Sequence, residues 1–79
     1  MHILFFAQLR DATGSSKTDW TDAGPLNTGQ LWERLLREFP ALASHRSCVR
    51  LARNGAYVTD DELFQPGDEV ALIPPVSGG

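Results

Sequence analysis

Val76-Ser77-Gly78-Gly79 follows two prolines, Pro74 and Pro75, at the end of an apolar run. Glycine has no Cβ, so such a segment can pass where side chains cannot. The prolines push the backbone before them toward extended forms, so the tail is expected to project away from the body. Four extended residues reach about 13 Å at roughly 3.3 Å each. The reactive group delivered that far would be the Gly79 carboxylate. A carboxylate is a poor electrophile and needs activation, for example as a mixed anhydride with AMP. On a glycine, no side chain then blocks attack on the carbonyl. The plainer reading of the same residues is frayed chain.

The rest of the chain is sparse in chemistry. It has no CxxC, HExxH or glycine-rich loop ending in Lys-Ser/Thr, so no metal site or nucleotide cradle is indicated by motif. His45 and Cys48 lack the rest of a ligand set, and Cys48 is expected to act as a small core hydrophobe at a strand start. Asp60, Asp61 and Glu62 read as a solvated turn, although paired carboxylates can do acid-base work. The 79 residues make one domain, 42% apolar and 22% charged, with a formal net charge of -3. Lys17 is the only lysine, and arginines stand at 10, 34, 37, 46, 50 and 53. No basic stripe tracks a phosphate backbone, which argues against nucleic acid as a partner. A single cysteine excludes an internal disulfide. The opening MHILFFAQLR is too short to span a bilayer or to be a full signal peptide, so a cytoplasmic protein intact from Met1 and free of membrane is expected.

Several elements would position the tail. His2 to Leu9 is a strand by two-residue alternation, with Ile3, Phe5, Ala7 and Leu9 on one face and Leu4, Phe6 and Gln8 on the other. Arg10 to Lys17 is a connection, and a weaker strand surrounds Trp20. Leu31, Leu35 and Phe39 form a helical stripe widened by Trp32 and Leu36, with Asn27 and Gln30 suited to a capping box, Thr28 a rival N-cap, and Pro40 closing the helix. Cys48 to Ala52 and Ala56 to Val58 are strands joined at Asn54-Gly55, a hairpin signal because both residues tolerate positive φ. Leu63 is expected to plug the core, Pro66-Gly67 to turn the chain, and Glu69 to Ile73 to form a central strand. The order predicts an α+β domain over residues 1–75, a mixed β-sheet packed on one main α-helix, and if the first and last strands pair in parallel at the centre the helix serves as their crossover. Residues 76–79 form the extended tail.

From end to end, the sequence resembles the MoaD-like sulfur carriers, small subunits of molybdopterin synthase with a ubiquitin-like β-grasp fold. The resemblance rests on ILFFAQLRD at 3–11, ARNG followed by Val58, and LFQPGDEVALIPPVSGG at 63–79. It implies that an E1-like, MoeB-like activating enzyme uses ATP and magnesium to adenylate Gly79. A sulfur donor protein then replaces AMP, leaving a thiocarboxylate, and no cofactor stays bound to the carrier. The carrier next docks on the MoaE-like large subunit and gives its sulfur to cyclic pyranopterin monophosphate. Gly78 and Ser77 would provide clearance for threading, while Pro75 and Val76 set the exit. Phe6 and Leu4 match the family's apolar partner surface, and Arg10 belongs to that surface or caps a strand. Arg50 and Arg53 depart from the pattern and imply a differently tuned contact. The alternatives are a carrier for thiazole or another sulfur product, a protein-modifying tag joined through Gly79, and a passive binding module.

Overall fold

The computed structural model describes residues 1–59 and 62–75. Strand β1 (His2–Phe5) pairs in parallel with β7 (Glu69–Ile73), in the register Ile3↔Val70 and Phe5↔Leu72. On its other side β7 pairs antiparallel with β4 (Arg50–Arg53), which pairs with β5 (Ala56–Tyr57). Strand β2 (Lys17–Asp19) flanks β1, so the sheet order is β2-β1-β7-β4-β5. A two-stranded ribbon, β3 (Leu26–Asn27) with β6 (Leu63–Phe64), lies apart from it. The long helix α2 (Thr28–Glu38) lies between the parallel strands in sequence, as their crossover requires.

Alternation along the strands decides the core. Ile3, Phe5, Leu51, Val70 and Leu72 are buried on one face, in one cluster with Leu31, Trp32 and Leu35 of α2. Phe39 packs edge-to-face on Phe5 at 5.1 Å between ring centroids. The start of α2 follows its sequence signal. The Asn27 side chain accepts from Gln30 N–H, and the Gln30 side chain accepts from Asn27 N–H. These reciprocal bonds satisfy two backbone donors that a helix end leaves open. Asn54 and Gly55 both take positive φ, 51° and 87°, and so close the β4–β5 hairpin.

Three expectations need correction. The first strand stops at Phe5, because Ala7 turns to φ 50° and starts a short helix, α1 (Gln8–Thr13), inside the expected strand and connection. Leu9 is still buried, but from that helix. Cys48 is exposed in a 3₁₀ turn (Arg46–Cys48) that precedes β4, so it is not a core residue at a strand start. Leu63 is 45% exposed while Phe64 is fully buried, because the alternation in β6 runs one residue out of phase with the expected plug. Among the described residues no helix is long and apolar enough to cross a membrane.

Candidate docking face and tail exit

The sheet face opposite α2 is built in rows across the strands. The register places Leu4, Ala71, Ala52 and Tyr57 side by side from β1 to β5. The two alanines form a floor, and Leu4 and Tyr57 form walls. Beyond them Ile73 stands opposite Arg50. Phe6, just past the end of β1, joins Leu4, Tyr57 and Ile73 around a cavity of about 270 Å³. Phe6 is 45% exposed and Tyr57 57%. Isolated exposed apolar side chains are ordinary, but two large aromatics sharing a groove with Leu4 and Ile73 form a surface suited to a partner.

The last described residues follow directly from this face. Ile73 ends β7 and lines the groove, and Pro74 follows half-buried with Pro75 exposed. Val76, Ser77, Gly78 and Gly79, the residues expected to thread and react, lie outside the described residues, as do Asp60 and Asp61 of the acidic turn. The sheet thus brings Leu4 and Phe6 together with the exit at Ile73–Pro75. Arg10 is placed differently from a strand cap, since it sits exposed on α1 with its N–H bonded to Ala7 C=O.

Charge is distributed unevenly around the groove. The Arg50 guanidinium lies over the Tyr57 ring, 4.2 Å from its centroid. Arg53 is used structurally: it donates to the Leu63 carbonyl at 2.7 Å and pairs with Glu62. Asp68 accepts from Gln65 N–H at 2.8 Å and from Asn54 Nδ2 at 3.1 Å. The Gln65 amide holds the Asp68 carboxyl below its ordinary pKa, with help from Asn54 and Arg53. His2 similarly lowers Asp19, mainly by their hydrogen bond at the far end of β1. Among the described residues no group of three or more His, Cys, Asp or Glu is placed to hold a metal ion.

Tyr57, Ala52, Ala71 and Ile73 were not singled out from sequence. The two-residue period of β7 carried part of the signal, since Val70 and Leu72 claim the core and leave Ala71 and Ile73 outside. A larger cavity, about 330 Å³, is lined by Trp32, Thr28, Leu51 and Arg50, the last of which stands opposite Ile73. The Thr28 hydroxyl there is buried and has no hydrogen-bond partner among the described residues.

The ThiS family model matches residues 3–79. The molybdopterin synthase sulfur carrier subunit of Arabidopsis thaliana is 40% identical over 77 residues, covering 98% of this chain and 80% of that protein. The human protein of the same name is 35% identical over 82 residues, covering 100% and 93%. Among solved structures, small archaeal modifier protein 1 of Haloferax volcanii superposes with TM-score 0.80 and 30% identity, covering 95% of each chain. The mixed sheet with one main helix matches the ubiquitin-like β-grasp architecture of these structural neighbours. With a family match extending from the first strand through Gly79, this chain belongs to the ThiS family.

Proposed function

We propose that this chain is the sulfur carrier subunit of a molybdopterin synthase. The observation that carries this reading is the 40% identity to a plant subunit of that name across nearly the whole chain. The exposed apolar groove beside the exit at Ile73–Pro75 supports it, because a carrier must be held while its tail is presented elsewhere.

In this reading the Gly79 carboxylate attacks the α-phosphorus of magnesium-bound ATP on an E1-like enzyme and expels pyrophosphate. The partner's cations stabilise the charge that develops on phosphorus. Hydrosulfide delivered by a donor protein then attacks the Gly79 carbonyl and expels AMP, leaving a thiocarboxylate. The name of the relatives makes them subunits of a synthase, and we assign the acceptor site to a large partner subunit that binds the pterin precursor. Phe6, Leu4, Tyr57 and Ile73 form the docking contact, with Arg10 at its margin. Pro75 and Val76 direct the tail, and Ser77 and Gly78 leave room for it to thread. The large subunit supplies acid-base groups and phosphate-binding cations.

The test is intact mass after incubation with an E1-like enzyme, Mg-ATP and a sulfide source. Replacement of one oxygen by sulfur, lost when Gly79 is deleted, is expected. No mass gain, with the activating enzyme competent on another carrier, would remove sulfur transfer from consideration. A second reading, attachment through Gly79 to lysines of other proteins, is favoured by the likeness to an archaeal modifier protein. It predicts isopeptide-linked adducts in cells, detectable as a glycine-glycine remnant on target lysines.

A further inference from the structure

The docking groove carries opposite charges at its two ends. Glu69 lines it at the hairpin end, beside Gly55, at the start of β7. Arg50 lines the neighbouring cavity beside Trp32 and flanks the groove at the tail-exit end, opposite Ile73 at the end of β7. Four residue steps along an extended strand separate these ends by about 13 Å. Between them the groove floor is alanine and its walls are Leu4, Phe6 and Tyr57, so the apolar contact alone fixes no direction.

Arg50 is held in a defined place. Its guanidinium lies over the Tyr57 ring at 4.2 Å. A guanidinium resting on an aromatic face keeps its N–H edges free for a carboxylate, and stacking reduces the side-chain freedom lost when one binds. Arg53, three residues on, is already committed to Glu62 and the Leu63 carbonyl, so the two arginines that depart from the family pattern have different tasks.

We propose that Arg50 and Glu69 form an orienting charge pair. They select a protein partner whose docking surface sets a carboxylate against Arg50 at the tail exit and a cation against Glu69. This inference rests on the carrier reading and deepens its docking step. Apolar complementarity supplies the contact area, while the two charges reject the reversed pose, in which like charges would meet and the tail would leave away from the partner's active site.

The experiment uses the full chain and the large synthase subunit from the same genome, with the dissociation constant measured at low and high salt. The informative variant combines Arg50→Glu with Glu69→Arg. It keeps the net charge of the chain and reverses only the polarity of the groove. We expect at least tenfold weaker binding, with the loss largest at low salt and the melting temperature nearly unchanged. Binding within twofold of wild type would overturn the proposal. If the double variant does not fold, Arg50→Gln serves instead: a flatter salt dependence than wild type supports the proposal and an identical one overturns it. Wild-type protein that binds no large subunit at all would overturn the carrier reading together with the inference. Wild-type binding with an indifferent variant overturns the charge pair alone.

Discussion

Phe5 and Phe6 are neighbours in the chain and are 1% and 45% exposed. Truncating each to alanine should separate folding from docking. Phe5→Ala removes a ring packed against Phe39 and should cost about 3–5 kcal/mol, comparable with the whole stability of a small domain. Thermal unfolding should show a collapsed or absent transition. Phe6→Ala should leave the melting temperature within about 3 °C of wild type and weaken binding to the large subunit about tenfold or more, as loss of an aromatic anchor does. A large melting-temperature loss with unchanged affinity would return Phe6 to the core. Chain position cannot distinguish these two rings unless the strand phase is known. Here the phase was legible as far as Phe5, and then Ala7 broke it with a positive φ that no propensity announces. Cys48 was misjudged for a related reason: a small apolar residue beside a strand carries no mark of which side of the boundary it occupies, and here it falls in the preceding turn.

At the scale of elements, signals made of short-range chemistry were readable and those needing tertiary context were not. The Asn27–Gln30 box, the Asn54–Gly55 turn and the run Glu69–Ile73 each stand where their residues place them. The docking groove was legible only at Leu4 and Phe6, since its other wall, Tyr57, joins them through three strand pairings whose register is a tertiary fact. The local elements can be tested directly. Asn27→Ala should cost about 1 kcal/mol by removing an N-cap acceptor, read as a shift in urea midpoint. The turn at Asp68 gives a pH-dependent test. Its folded pKa is lowered by the Gln65 amide, so its contribution is fully present above the ordinary aspartate value of about 3.9 and is lost as pH falls through the folded value. Asp68→Asn should therefore flatten the acid limb of stability below about pH 4. An unchanged acid limb in equilibrium unfolding would show that other carboxylates govern it.

For the whole molecule, folding and group transfer should be separable at the β7 boundary. Deleting residues 76–79 should leave the melting temperature of the domain unchanged while abolishing sulfur loading, measured by intact mass. Removing Val70–Ile73 as well should abolish folding, because these residues pair with β1 on one side and β4 on the other. That two-sided pairing also governs how the domain bears tension. A partner that grips the tail pulls along β7 toward Pro74, parallel to the strand. Hydrogen bonds on both of its flanks lie across that direction and must be sheared together, whereas a hairpin pulled from its open end would unzip one bond at a time. Tension applied beyond Pro75 is thus borne by both flanks of β7 while the docking face keeps its shape.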